Sequence, residues 1–230
     1  AKNQELEAFV YTVTHDLRAP LVALQGMAGM LAETKGAQLD AEGQHYLDRL
    51  VRNTTHMEAL IRDLLEFSRV GRLARPPEAV AVAEVVDEIL LQHGDAIREK
   101  GIKVSCRDLP VLWGERTRVE QVFSNLIGNA LKFLGADNPA PMVEVGAEDR
   151  EQAWECYVKD NGIGIDPAYH GKVFELFQRL REVETEGTGV GLAIVKKIVD
   201  LAGGKVWIES EAGKGATFRF TWPKVVGKGE

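Results

Sequence analysis

His15 and Asp16 are adjacent residues whose side chains could together carry out group transfer through an imidazole. The apolar residues around them recur at three- and four-residue steps, which predicts a helix with one buried face. His15 lies two positions from Val13 and from Leu17, about 200° around the helix, so we expect it to face solvent. A carboxylate that takes one imidazole proton fixes the tautomer and raises nucleophilicity. Taken alone, an exposed histidine is most often an ordinary solvated residue.

Pro20 stands in the middle of the same predicted helix. It removes the hydrogen bond that would reach the carbonyl of Asp16 and crowds that carbonyl, so the sequence predicts a kink at the turn that carries His15. Adjacent side chains on a helix do not face one another. A contact between His15 and Asp16 therefore needs this kink or a favourable rotamer.

A second polar set lies in the segment 121–133, QVFSNLIGNALKF. Asn125, Asn129 and Lys132 are spaced by four and three residues, which places them on one face of a predicted helix. Amide groups suit Mg²⁺ and hydrogen bonding, and a lysine suits phosphate. By itself, this pattern is commonly only a polar helix face.

The segment 160–166, DNGIGID, ends a predicted strand with a carboxylate and continues with two glycines. Gly162 and Gly164 let a flat ligand approach the backbone closely, and Asp160 could accept a hydrogen bond from an exocyclic amine. The alternative is an ordinary turn after a strand, which uses the same residue types.

The segment 186–197, EGTGVGLAIVKK, places small residues immediately before an apolar helix, namely Gly187, Thr188, Gly189 and Gly191. Free backbone N–H groups at a helix N-terminus suit phosphates. The segment lacks the lysine of a P-loop and does not follow a strand as a dinucleotide-binding fingerprint does, so both of those nucleotide folds are disfavoured. A glycine-rich loop without a ligand is the alternative.

Two helices must position the histidine. The apolar stripe of the first consists of Leu6, Val10, Val13, Leu17, Leu21, Leu24, Ala28 and Leu31. After Gly36, Asp40 offers an N-cap, and the seam of the second consists of Leu47, Leu50, Thr54, Met57, Ile61, Leu64 and Ser68. Two helices alone cannot bury such long seams, so we predict an antiparallel hairpin that pairs with a second copy in a four-helix bundle. The alternative is a hairpin packed on the chain's own second domain.

The stretch 71–80, GRLARPPEAV, breaks the helical periodicity with consecutive prolines and marks a domain boundary. We predict a helical domain over 1–71, a linker over 72–78 and an α/β domain over 79–230. Helical patterns cover 83–100, 115–134 and 190–202, and β-rich runs lie near Lys103 and at 142–147, 154–159, 206–210 and 216–222. These lengths predict one mixed sheet with helices on one face, an α/β sandwich.

Composition excludes several classes of function. A net charge of −7 argues against nucleic acid or anionic lipid as a partner, because both need surplus Lys and Arg. Cys106 and Cys156 lack metal-ligand spacing and fit a reducing compartment. No apolar run approaches the ~20 residues that cross a bilayer, and no signal peptide precedes the first helix. We therefore expect a cytoplasmic fragment of a longer protein, whose upstream sensor, with any membrane anchor, lies outside this chain.

The order of these segments resembles that of the histidine kinases. His15-Asp16 with a following proline, the Asn/Asn/Lys helix, DNGIGI, FELFQRL (174–180), GTGVGLAI and GKGATF (213–218) are similar to the H, N, G1, F, G2 and G3 boxes of that family. The match covers nearly the whole chain, and the H box HDLRAPL most resembles that of phytochrome-related kinases. The resemblance implies a Bergerat ATP-binding fold for the second domain, with ATP and Mg²⁺ as cofactors.

The resemblance also implies roles for single residues around the nucleotide. Asp160 corresponds to the residue that reads the adenine amine, with Thr217 beside it through a water molecule. Asn129 corresponds to the Mg²⁺ ligand, Asn125 to its neighbour and Lys132 to a phosphate contact.

The implied reaction is attack by neutral His15 on the γ-phosphorus of ATP, with Asp16 holding the imidazole. Arg179 corresponds to the arginine that approaches the γ-phosphate, and residues 180–186 to the ATP lid. The phosphoryl group then passes to an aspartate of a response regulator, which docks on the bundle of the homodimer. Kinases of this type that also dephosphorylate their regulator usually carry Thr or Asn four residues after the histidine, where this chain has Ala19.

Two other classes of protein are weighed against a kinase. His15 and the predicted bundle argue against an ATPase or chaperone with the same ATP-binding fold, which is also expected to need a later domain that supplies a catalytic lysine. A non-catalytic dimeric scaffold is expected to have lost His15, Asn129 or Asp160, and all three are present. Both classes are therefore disfavoured.

Overall fold

The computed structural model describes residues 2–71, 76–178 and 187–224, without the side chains of residues 2–16 and Arg18. The chain forms two compact units, the first made of residues 1–72 with 186–190 and the second of residues 73–185 with 191–230. The border at residues 72 and 73 falls at the start of the predicted linker, whose bounds stay a prediction.

The helical unit contains α1, Lys2–Lys35, and α2, Ala41–Arg69, joined by a short 3-10 turn at Gly36–Gln38. α1 runs through Pro20 without ending, and the kink expected there stays a prediction. α2 begins where predicted, because the Asp40 side chain accepts a hydrogen bond from the N–H of Gly43 at 2.8 Å. In the described part of the chain, none of the helices has a stretch apolar enough to cross a bilayer.

In the helical unit, the buried residues of each predicted seam are seven residues apart. The buried members are Leu21, Ala28, Leu47, Thr54, Ile61 and Ser68. The members three or four residues away, Leu17, Leu24, Leu31, Leu50 and Met57, are 44% to 50% exposed. A single hairpin thus covers one side of each seam and leaves the other side open, as a surface of apolar residues.

The α/β unit follows the helical hairpin. Its elements, in chain order, are β1 Glu78–Ala81, α3 Val82–Gln92, α4 Gly94–Glu99, β2 Lys103–Arg107, β3 Val111–Gly114, α5 Arg116–Lys132, β4 Met142–Asp149, β5 Ala153–Asp160, α6 Gly191–Leu201, β6 Val206–Ser210 and β7 Ala216–Pro223. The main sheet has the order β2-β4-β5-β7-β6, with β2 parallel to β4 and the other pairs antiparallel. The predicted mixed sheet is confirmed.

Two details differ from the sequence prediction. β1 and β3 pair antiparallel in a separate two-stranded sheet, which the sequence did not predict. The helix predicted over 83–100 is two helices, because the N–H of His93 closes α3 on Ile89 and the chain then restarts at Gly94.

Alternation along the strands gives the main sheet two unlike faces. One face is apolar and contacts α5 and α6, with the rings of Phe123 and Phe220 packed edge to face at 5.5 Å between centroids. The other face is polar, and on it Arg219 of β7 donates hydrogen bonds to Glu148, Glu155 and Glu209. Among the described residues, the helices that contact the main sheet lie on its apolar face, as predicted.

Candidate functional site

Asp160 is the last residue of β5 and is only 6% exposed. Its Oδ1 accepts hydrogen bonds from the N–H groups of Gly162 at 2.8 Å and Ala216 at 3.3 Å. Burial raises the pKa of Asp160 to about 6, and the two N–H donors oppose that rise. The carboxyl group is therefore ionised at neutral pH but poorly solvated, which favours a ligand that brings a hydrogen-bond donor.

The loop after Asp160 is packed tightly against other backbone segments. A Cβ atom on Gly162 would overlap the carbonyl oxygen of Phe133, and one on Gly164 would overlap that of Glu211. Gly164 also has φ +66°, a conformation that favours glycine. Contacts within the protein thus require both glycines, and their predicted approach to a flat ligand stays a prediction.

The predicted polar face of α5 lies on one helix, but its residues differ in their contacts. Asn125 donates from Nδ2 to the carbonyl of Gln121 at 2.8 Å, and its Oδ1 fills the space that a side chain on Gly191 would need. Asn125 therefore supports the start of α6. Asn129 is half-buried, and its side-chain amide makes no hydrogen bond with any residue that the structure describes. The Nζ atom of Lys132 lies 4.9 Å from the centroid of the Phe133 ring.

The glycine-rich segment before α6 divides between the two units. Gly187, Thr188 and Gly189 group with the helical unit, whereas Gly191 is the first residue of α6. Within the helical unit, the Thr188 hydroxyl donates a hydrogen bond to the carboxylate of Asp63. The phosphate cradle expected from these residues stays a prediction.

Thr217 is not brought together with Asp160. It is in register with Lys159 and Glu209, whereas Ala216 lies beside Asp160. Because side chains alternate along a strand, the Thr217 side chain lies on the opposite face of the sheet from Asp160. This arrangement does not support the expected water-mediated contact of Thr217 with the adenine. The strand was predicted at the right place, whereas the role of Thr217 was implied only by the resemblance.

Sequence reasoning missed three residues that hold the loop after Asp160. Asn138 and Asn161 form hydrogen bonds with each other and with the backbone between α5 and β4. Ser210 accepts from the N–H of Ile165 at 2.8 Å and donates to the carbonyl of Gly215 at 2.7 Å. Asn161 stood inside the DNGIGID motif, but Asn138 and Ser210 lie in segments that carry no motif.

Several predicted residues lie outside the described part of the structure. His15 and Asp16 are residues of α1, but their side chains are not among those described. Arg179 and the segment 180–186 are outside the described residues altogether. Ala19, one turn after His15, is by contrast among the described residues, and it is exposed. The roles expected of these residues stay predictions.

Two protein-family models match the chain. The model described as "Histidine kinase-, DNA gyrase B-, and HSP90-like ATPase" matches residues 114–226. The model described as "His Kinase A (phospho-acceptor) domain" matches residues 5–72. The fold and these matches define an ATP-binding α/β domain that follows a phospho-acceptor helical hairpin.

Curated relatives agree with this class. The chain is 43% identical over 224 residues to the methanogenesis regulatory histidine kinase FilI of Methanothrix harundinacea, covering 97% of this chain and 25% of the relative. It is 39% identical over 222 residues to cyanobacterial phytochrome A of a Nostoc species, covering 96% and 29%. The chain belongs to the histidine kinases. It spans less than a third of the length of these two relatives.

Solved structures share the fold. Full-length ShkA, crystallised with AMPPNP, superposes with a TM-score of 0.70 at 30% identity, over 94% of this chain and 45% of that chain. The catalytic domain of histidine kinase ThkA gives a TM-score of 0.56 at 27% identity, over 65% of this chain and 99% of that chain. The predicted fold class, a helical hairpin followed by an ATP-binding α/β domain, is confirmed.

Proposed function

We propose that this chain is the catalytic core of a two-component sensor kinase, which transfers the γ-phosphoryl group of ATP to His15 and then to an aspartate of a response regulator. The observation that carries the proposal is Asp160, a buried and poorly solvated carboxylate at a strand end of an ATP-binding domain. The matched phospho-acceptor domain, which includes His15, supplies the acceptor.

Nucleotide binding divides between two parts of the α/β unit. Asp160 accepts a hydrogen bond from the exocyclic amine of adenine, since the bonds described for its carboxylate all end on Oδ1. The glycine-rich N-terminus of α6 and Lys132 at the end of α5 contact the phosphates. The two parts are joined because the loop after Asp160 bonds to the end of α5, from the N–H of Ile163 to the carbonyl of Phe133 at 3.0 Å.

The donor set of the site fits Mg²⁺ held through the phosphates. Among the described residues, no cluster of three or more His, Cys, Asp or Glu side chains could hold a metal by itself. Mg²⁺ in nucleotide sites commonly takes one or two protein oxygens and completes its shell with phosphates and water. The half-buried amide of Asn129 supplies such an oxygen. When bound, Mg²⁺ neutralises charge on the transferring phosphoryl group.

The transfer step uses His15 as the nucleophile. A bond forms between an imidazole nitrogen and the γ-phosphorus, the bond from that phosphorus to the β,γ-bridging oxygen breaks, and ADP leaves. Asp16 holds the imidazole and accepts its remaining proton, while Lys132 and Arg179 offset the developing charge.

Two finer proposals concern assembly and location. The open sides of the α1 and α2 seams support a homodimer with a four-helix bundle, on which the response regulator docks. Cys106 and Cys156 are both free, which supports a reducing, cytoplasmic location.

The proposal is tested by incubating the chain with Mg²⁺ and ATP labelled on the γ-phosphate. We expect labelled protein whose phosphate is lost in acid and kept in alkali, as for a phosphoramidate. The variant His15→Gln is expected to bind ADP normally and to take up no label, because the two functions lie in different units. Acid-labile phosphate on His15→Gln contradicts the assignment of the acceptor.

A further inference from the structure

Asn161, the residue directly after Asp160, bonds to the segment between α5 and β4 and to Met142, the first residue of β4. Its backbone N–H donates to the carbonyl of Met142 at 3.3 Å, and its Oδ1 accepts from the N–H of Met142 at 2.8 Å. Its Nδ2 donates to the carbonyl of Ala140 at 2.8 Å. The backbone position of Asn161, and with it the position of Asp160, is therefore fixed from outside the loop.

Asn138, in the same segment as Ala140, completes this arrangement. Its Nδ2 lies 3.0 Å from the backbone oxygen of Asn161, 3.1 Å from the Oδ1 of Asn161 and 3.1 Å from the backbone oxygen of Leu134. Its Oδ1 accepts from the N–H of Ala140 at 3.2 Å. One amide side chain thus bonds to the end of α5, to its own segment and to the residue beside Asp160. We call Asn138 and Asn161 the amide pair.

The amide pair connects the two parts of the nucleotide site. α5 carries Asn129 and Lys132 near its end, and Leu134 follows directly after this helix. Asn161 follows β5, which ends in Asp160. Beside the backbone bond from Ile163 to Phe133, the hydrogen bonds of the amide pair are the side-chain bonds that link the residue next to the carboxylate to the phosphate-binding end of α5.

We propose that Asn138 is a positioning residue, which acts through Asn161 to hold Asp160 where it selects adenine. This inference rests on the proposed role of Asp160 in reading the adenine amine. Without the Asn138 side chain, the loop occupies conformations in which the carboxylate misses the amine, and the apparent affinity falls by the fraction of competent loops. Affinity gained from the phosphates is unaffected, because those contacts come from α5 and α6.

The test compares ADP with inosine diphosphate, in which a carbonyl oxygen replaces the 6-amino group. Both are titrated calorimetrically with Mg²⁺ into the purified chain and its variants. In Asn138→Ala, we expect the Kd for ADP to rise about fivefold, the equivalent of one average hydrogen bond, and the Kd for inosine diphosphate to stay unchanged. Asn138→Asp keeps the size and the acceptor of the side chain but cannot donate, so we expect it to lose the preference for ADP to at least the same extent.

Tyr157→Phe is the matched control. It removes a half-buried hydrogen bond to Glu144 from the same strand, on the sheet face opposite Asp160, and both affinities are expected to stay unchanged. Equal weakening of both nucleotides in Asn138→Ala, or no weakening of ADP, overturns the positioning role. Asp160→Asn separates the two assignments. A preference for ADP that survives in Asp160→Asn overturns the adenine role of Asp160, whereas a preference lost there and kept in both Asn138 variants overturns only the positioning role.

Discussion

The helical unit and the α/β unit bury their apolar residues to different extents. In the helical unit, a small cluster of Leu21, Ile61 and Leu65 is buried, while Leu24 and Met27 are 50% and 64% exposed. In the α/β unit, α5 alone buries seven side chains: Val119, Val122, Phe123, Leu126, Ile127, Ala130 and Leu131. The α/β unit therefore has the core of an independent domain, whereas the hairpin leaves part of its apolar seams exposed, as the proposed dimer requires.

The largest expected effect is on the core of the α/β unit. Phe123 is fully buried against Phe220. We expect Phe123→Ala to lower the free energy of unfolding of this unit by about 3–5 kcal/mol, since the variant loses apolar contacts and leaves a cavity. Chemical denaturation followed by tryptophan fluorescence measures the loss, because all four tryptophans lie beyond residue 110.

The control for this prediction is Leu91→Ala, at a leucine of α3 that is 83% exposed. Its effect is expected to stay within about 0.5 kcal/mol. If both variants lose the same free energy of unfolding, the α/β unit does not depend on the core around Phe123.

The next largest effect is expected at Asp160, whose buried charge serves nucleotide binding but lowers the free energy of unfolding. Burial raises the pKa of Asp160 from 3.8 to about 6, so the folded state binds this proton more tightly than the unfolded state. The free energy of unfolding therefore falls as the pH rises from about 4 to about 6, and the cost of the buried charge is complete above that range. Asp160→Asn keeps an acceptor for both N–H donors and removes this cost, so we expect it to be more stable by up to about 3 kcal/mol at pH 7.

The measurement is thermal unfolding of both proteins at pH 4 and at pH 7 without nucleotide. The advantage of Asp160→Asn is expected at pH 7 and is expected to vanish near pH 4. The parent chain is also expected to lose ADP affinity as the pH falls through about 6, because the protonated carboxyl group no longer accepts freely from the adenine amine. A variant that is less stable at pH 7 shows that the charge of Asp160 is compensated in the folded state.

A smaller effect is expected from the open side of the hairpin. Leu24→Glu places a charge on the exposed seam of α1, which we expect to face the second copy. We expect the dimer to weaken by roughly 2 kcal/mol or more, because a carboxylate would be buried there without a partner. Sedimentation over a range of concentrations measures this change. Leu201→Glu, at a leucine of α6 that is 61% exposed, is the matched control and is expected to leave the dimer intact.

The last prediction concerns Ala19, where a substitution is expected to change stability least. Its methyl group cannot orient a water molecule by hydrogen bonding, so we expect the chain to dephosphorylate its regulator weakly while still transferring phosphoryl groups to it. Ala19→Thr is expected to increase the decay of the phosphorylated regulator without changing either unit's stability beyond about 0.5 kcal/mol. Rapid decay with the unmodified chain, unchanged in Ala19→Thr and not caused by back-transfer to His15, contradicts this expectation.

The helices and strands in which the apolar pattern repeats several times could be predicted from the sequence. α1, α2, α5 and α6 and the five strands of the main sheet have apolar repeats of several turns or alternations, and their positions agree with the prediction. β1 and β3 have four residues each, too few to show alternation, and β1 follows the prolines of the linker. Their pairing depends on contact between segments that are distant in sequence, which no local pattern reports.

In the candidate site, too, local sequence patterns reveal some residues but not the contacts between distant segments. Asp160 could be found because a motif surrounds it, and Asn129 because it shares a helix face with Asn125 and Lys132. Asn138 could not be found, since its hydrogen bonds reach Asn161, 23 residues away. The sheet face of Thr217 could not be found either, since a shift of one residue reverses a strand's side chains and only the pairing with Lys159 fixes that register.

The polar face of the main sheet has a consequence for aggregation. Arg219 shares its hydrogen bonds among three carboxylates, and Arg150 pairs with two of the same groups, Glu148 and Glu155. Stacking this face on another sheet would dehydrate all of these charges at once, and their mutual attraction would not repay that cost. The face that the helices leave bare therefore disfavours the sheet-on-sheet stacking from which amyloid-like assemblies grow.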